Sequence, residues 1–353
     1  LNIGNLIYGT GLDGTGSTLS SGNVGIGVKD PEARLTIQNN ATSSSAFTIR
    51  DALGDTSLEI RAGTSTLYNV FVGVSAGANN TTGSVNTAVG LQAMYFNTTG
   101  SGNTALGVNT LTSNISGSGN NAIGQDALQA NITGDNNNAI GIHALYSNTT
   151  GSYNVANGFL SLKTNTTGIR NTASGAYSLF NNTSATSTVA IGYGSAQGLA
   201  DYSNQGGTYL GYQSGFSADT GSDYNTFLGY SSGYGVTTGA RNILLGQSTI
   251  NDSQNQVTTG SNNIAIGNDV AVASPTANNQ LNIGNLIYGT GLDGTGATVS
   301  TGNIGIGTSS PASTFTVVGS ACISQGTGAT APRRQPAAPT RPPRCRARPV
   351  APT

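Results

Sequence analysis

The chain has 353 residues, of which 52 are Gly and only 8% are charged, with a formal net charge of −1. This composition excludes an ordinary globule, and the lack of charge argues against a disordered body, because disordered chains combine low hydrophobicity with high charge. Six of the thirteen basic residues (Arg333, Arg334, Arg341, Arg344, Arg346 and Arg348) lie in the last 21 positions; the remainder, seven basic against fourteen acidic residues, sits at −7 and gives no footprint for nucleic acid.

Residues 1–45 read as a β-rich junction, with the runs LNIGNLIYG, NVGIG and RLTIQ separated by Gly-rich turns. Residues 46–72 alternate like half-buried strands in AFTIRD, SLEIRA and TLYNVFVG. A strict array then occupies 69–198. Its eight anchors, Gly73, Gly90, Gly107, Gly124, Gly141, Gly158, Gly175 and Gly192, stand seventeen residues apart within the pattern N-x-A-[IVL]-G-x-x-[AST]-L-x-x-N-x-[ST]-G-S-x. A fixed short period means one supersecondary unit stacked on copies of itself. Helix is excluded by about two glycines and several Asn in each period. The expected fold class is therefore all-β: a parallel β-solenoid in which each period forms one coil and equivalent residues lie about 4.8 Å apart.

In such a coil, the Ile, Val or Leu before each anchor should form an apolar ladder. So should the Leu four residues after it (Leu111, Leu128, Leu145, Leu162, Leu179). Glycine supplies positive φ at the bend, and a repeated Asn can stack its amide on the next. From 199 to 270 the array loosens: Gly211, Gly229, Gly246 and Gly267 follow Gly192 at spacings of 19, 18, 17 and 21. The insertions are expected to bulge from turns while the strands keep stacking.

Residues 271–319 are a second junction, since Leu1–Gly16 recurs unchanged as Leu281–Gly296, which marks a block of 280 residues within a longer fibre. Residues 320–353 hold seven of the ten prolines and read as a disordered tail; both cysteines, Cys322 near its start and Cys345 in its Pro/Arg stretch, lie in it and say little about redox compartment. No apolar run is long enough to span a membrane as a helix. A coil of seventeen residues encloses a very thin core. With no disulfide framework or metal motif in view, side-by-side association through one apolar face is expected, with threefold symmetry.

No catalytic constellation, cofactor site or metal site is expected. The sole His143 has no acidic partner nearby in sequence and reads as a surface residue. The string GTGLDGTG lacks the GK[ST] and the helix that a phosphate loop requires. The cluster GDNNN (134–138) offers too few carboxylates to hold Ca²⁺ tightly. Seven N-x-[ST] triplets, at Asn80, Asn97, Asn114, Asn131, Asn148, Asn165 and Asn182, are candidate glycosylation sites, although an Asn turn before Thr-Gly makes the same triplet. Rows of Thr raise an ice-binding solenoid as a minor alternative; these Thr, however, sit mostly beside turn glycines.

The units NTAVG (86–90), NNAIG (120–124) and NNIAIGND (262–269) resemble head repeats of trimeric autotransporter adhesins, over roughly residues 69–284. That resemblance implies a parallel β-roll in a homotrimer. It also implies a non-enzymatic structural or adhesive fibre, extracellular at a bacterial cell surface, that meets host or neighbouring-cell proteins or glycans. The junction motif GNVGIG…P…L (22–35) resembles segments of phage tail fibres and large bacterial surface fibres, which makes a tail-fibre shaft on a virion the alternative. Neither a heptad stalk nor a C-terminal membrane barrel of that family is visible.

Overall fold

A computed structural model gives an all-β chain. It describes residues 67–248, 257–294 and 298–319, together with the backbone of six short strands before them: Asn2–Ile3, Ile7–Thr10, Asn23–Ile26, Leu35–Ile37, Phe47–Arg50 and Thr56–Ala62. The tail at 320–353 and residues 249–256 lie outside the described residues.

Thirteen three-residue strands, from Val70–Val72 to Leu281–Ile283, stack through twelve parallel pairings. The pairing is in register, so Ala105, Ala122 and Ala139 are partners in consecutive strands. Twelve steps of ~4.8 Å separate the two ends by about 58 Å, so the ladder is an open stack. Between strands the backbone also bonds to its neighbours, now to the coil before (Gln92 N to Val74 O, 2.9 Å), now to the coil after (Met94 N to Thr110 O, 2.9 Å). Such bonding satisfies turn backbone that a thin core could not otherwise bury.

Positions in the coil are counted from the anchor glycine as zero. The anchors of the strict array take φ between 125° and 142°. A Cβ on Gly90 would also lie 2.2 Å from the carbonyl oxygen of Gly107, so both the conformation and the stacking distance demand glycine. More unusual is position +4, where Leu111, Leu128, Leu145, Leu162 and Leu179 all have φ of 50–52°. Left-handed backbone costs a non-glycine residue about 1–2 kcal/mol. Complete burial of each Leu side chain, worth about 1.5–3 kcal/mol, offsets it.

The interior of a regular coil holds Ala at −2, a small residue at +3, Leu at +4 and two Asn, at +7 and −4, all buried. The Ile, Val or Leu just before the anchor does not belong to this core. Val89, Ile191, Leu210, Leu228 and Ile266 are 36–45% exposed. In a three-residue strand the side chains alternate out, in, out, and the narrow coil takes the small Ala inward.

The solenoid continues past 198 without interruption of its strands. The 19-residue coil differs from the expected bulge. Leu199 and Asp201 face solvent, whereas Tyr202 turns inward, is 2% exposed and donates its hydroxyl to the Ala196 carbonyl. Inserted residues here fill the core left small by Ala190 and Ala196.

Both ends of the stack are covered. At the start, Phe47–Arg50 pairs antiparallel with Thr56–Ala62, which pairs antiparallel with Val70–Val72. At the far end the run LNIGNLIYG is a hairpin of two strands, Leu281–Ile283 and Ile287–Thr290, turning through Gly284 and Asn285, both with positive φ. Asn303–Ile306 then adds antiparallel and Phe315–Val317 parallel. The same topology and register recur 280 residues earlier, as in Asn2↔Tyr8 against Asn282↔Tyr288. The first and last strands of the solenoid are thus paired on both sides, which removes them as templates for strand addition.

Candidate interaction surface

Two Asn ladders run inside the coil. At +7, the Nδ2 groups of Asn97, Asn114, Asn131, Asn148 and Asn165 donate to the Oδ1 of the preceding Asn at 2.7–2.9 Å. Each also donates to the glycine carbonyl three residues on, as Asn148 does to Gly151 at 2.9 Å. At −4, Asn Oδ1 accepts the backbone N–H of the next Asn in the column, as Asn103 does from Asn120 at 2.9 Å. Its Nδ2 reaches the glycine carbonyl of the next coil, as Asn103 reaches Gly117 at 2.9 Å. The +7 ladder stops at Asn165, whose Oδ1 is left without a partner because Asn182 turns its amide to Asn204.

These ladders answer the question of the triplets. Six of the seven sequon side chains, all but Asn80, are wholly buried. A sugar on Nδ2 would replace one of its two hydrogens, so either the ladder bond or the glycine bond is lost, at a position with no exposed surface to hold it. In the folded array the triplet is a ladder residue followed by a turn. Thr hydroxyls beside it are likewise engaged: Thr81, Thr98, Thr149 and Thr166 donate to carbonyls of the next coil at 2.8–3.1 Å.

His143 meets a neighbour that chain order hides. Its acidic partner is absent nearby in sequence but present one coil away, where Nε2 lies 3.9 Å from Oδ2 of Asp126. Asp126 also accepts bonds from Gln125 and Gln129, and His143 packs its ring against Tyr146. The group holds one partly exposed imidazole and one carboxylate. In the cluster 134–138, Asp135 accepts the N–H of Ser118 at 2.7 Å and Asn138 accepts from Asn121, so its oxygens serve coil contacts. No group of three or more His, Cys, Asp or Glu close enough to hold a metal occurs among the described residues.

The described part of the second GTGLDGTG copy is a brace. Asp293 accepts from the Thr301 hydroxyl (2.6 Å) and N–H (2.7 Å) and from Ser300 (3.1 Å), and the Thr301 bonds hold its carboxyl below the usual range. Of the first copy only Gly9 and Thr10, in the strand Ile7–Thr10, are among the described residues.

Outside the coil, the strands present two columns along the whole stack. Position −3 runs from Val70 to Leu281 and position −1 from Val72 to Ile283, twenty-six positions without a charged residue. Nine of them are exposed large apolar residues, among them Val89, Val155, Ile191, Leu228 and Ile283. Charges sit elsewhere on the coil, among them Asp126 and Asp269 at +2, Lys163 at +5, Asp219 at +8, Asp201 at +9, Asp135 at +11 and Arg170, Asp223 and Arg241 at +12. Thr or Asn fills seven of the thirteen places at −3, and Asn157 and Ser174 interrupt the apolar column at −1; an exposed apolar stripe along one face is a candidate interaction site.

A third column starts just past the anchor. Tyr193, Tyr212 and Tyr230 each follow an anchor glycine and stack, with ring centroids 5.6 and 5.0 Å apart and planes 12° and 9° from parallel. The signal is visible in the sequence as the same residue at the same offset from Gly192, Gly211 and Gly229, although the reading by apolar period passes over it.

No protein-family model, curated protein or solved structure matches the chain. Among the described residues no helix is long and apolar enough to cross a membrane.

Proposed function

We propose that the chain is a structural and adhesive rod of a surface fibre, non-enzymatic, that associates side by side with two copies of itself through its strand face. The uncharged double column at −3 and −1 carries the reading. A partner that covers a stripe about 58 Å long must repeat at ~4.8 Å, and a second copy of this chain has that spacing. Covering the stripe also removes from water the nine exposed large apolar residues of these two columns. The remaining faces, with their hydroxyl and amide rows, would then be repeated outward for weak multivalent contact with proteins or glycans. The extracellular setting belongs to the same proposal.

Native mass measurement of the full chain tests it, beside the variants Ile191→Asp and Leu228→Asp. A trimer that dissociates when either Asp is introduced is the expected result. A wild-type monomer at micromolar concentration would sink the reading, as would a trimer indifferent to both substitutions.

A further inference from the structure

We propose that Tyr212 and Tyr230 form an oxidative cross-linking site: a dityrosine staple between consecutive coils. Their rings lie 5.0 Å apart and 9° from parallel, and the side chains are 41% and 45% exposed, so both phenols are open to an oxidant in solution. Tyr193 extends the stack at 5.6 Å, whereas Tyr177 meets Tyr193 edge-on at 64°. The other strongly exposed tyrosines, Tyr68, Tyr153 and Tyr224, have no tyrosine ring against them among the described residues. The stack lies where the array departs from its period, beside the 19- and 18-residue coils. A covalent link closing an 18-residue loop restricts the unfolded chain as a disulfide would.

The chemistry uses hydrogen peroxide and a haem peroxidase. Each phenol gives one hydrogen atom, and the two together reduce one peroxide to two waters. The two tyrosyl radicals couple through ring carbons ortho to oxygen, one C–C bond forms, and the ring hydrogens at those carbons move to the oxygens. The product has lost two hydrogens in all.

Treatment of the dilute full chain with horseradish-type peroxidase and hydrogen peroxide, followed by peptide mass mapping, tests the site. The expected product is an intramolecular Tyr212–Tyr230 pair two hydrogens lighter, with a raised melting temperature. In Tyr212→Phe, checked by circular dichroism for retained fold, dityrosine should fall at least tenfold, because Tyr193 and Tyr230 stand two coils apart and the remaining pair, Tyr177 with Tyr193, meets edge-on rather than stacked. Coupling spread evenly over Tyr68, Tyr153 and Tyr224, exclusively intermolecular links, or an undiminished yield in Tyr212→Phe would each overturn the proposal.

Discussion

Coils anchored from Gly107 to Gly175 and those anchored at Gly211 and Gly229 fill the same layer with opposite residue pairs. The former place Ala at −2 and Leu at +4, as in Ala122 with Leu128. The latter place an aromatic at −2 and glycine at +4: Tyr209 with Gly215, Phe227 with Gly233. A Cβ on Gly233 would lie 2.4 Å from the Phe227 ring, and one on Gly215 would lie 2.5 Å from the Tyr209 ring. The first coil repeats the exchange with Phe71 and Gly77, at 2.6 Å. Backbone at +4 is left-handed in both kinds, with φ of 64° at Gly215 and Gly233 against 50–52° at the leucines. The layer therefore holds volume and backbone constant while the residues change, as close-packed interiors require.

The second difference is polar. Where regular coils bury Asn at +7, the coils at Gly211 and Gly229 bury Ala218 and Val236. From Asn97 to Asn165 each amide at this position bonds the amide of the coil before it, and at the boundary Asn182 turns to Asn204 instead, so the column changes character as a block.

The largest test of this comparison is an exchange. Phe227→Ala should cost about 3–5 kcal/mol through the cavity it leaves, and Gly233→Leu about 1–3 kcal/mol through overpacking. The double variant recreates the Ala/Leu pair and should recover more than half of the combined loss in denaturant titration. Simple additivity would show that the two positions do not share a volume.

Alkaline titration separates the regions next. Burial pushes the Tyr209 phenol up to about 12 from 10.0 and raises Tyr202 as well, and both lie in the irregular coils. Because the folded value is raised, the stabilisation is complete below pH 10 and is lost as pH climbs through 12. For Tyr209 this amounts to about 3 kcal/mol. Hydrogen exchange should show residues 196–236 opening before the array at 100–180; simultaneous opening would contradict the assignment.

The smallest effect concerns the amide column. Asn131→Val should cost about 2 kcal/mol, since it orphans the Asn114 oxygen and removes the acceptor of Asn148. The reverse change, Val236→Asn, should also destabilise, because Ala218 and Val257 flank it with no amide. Equal stability of either variant with wild type, by thermal melting, would dissolve the distinction between the blocks.

Much of this architecture is legible in the chain itself. Seventeen-residue periodicity, glycine at the bends, Leu at +4 as core and Asn as an amide ladder all follow from repetition, because a residue repeated at one offset must meet its own copies when units stack. The duplicated junction is readable in the same way, and its strand pairings recur with it. Tertiary structure alone decided which apolar residues face inward. Hydropathy favours Ile or Leu before the anchor, but strand alternation and a narrow coil admit Ala and leave the larger residue outside. Stacking also set Asp126 beside His143, closed six sequon asparagines inside the coil and turned the inserted Tyr202 into the core. Sequence fixes what lies at each offset; whether that offset points in or out depends on the width of the coil, which exists only once the backbone has closed around it.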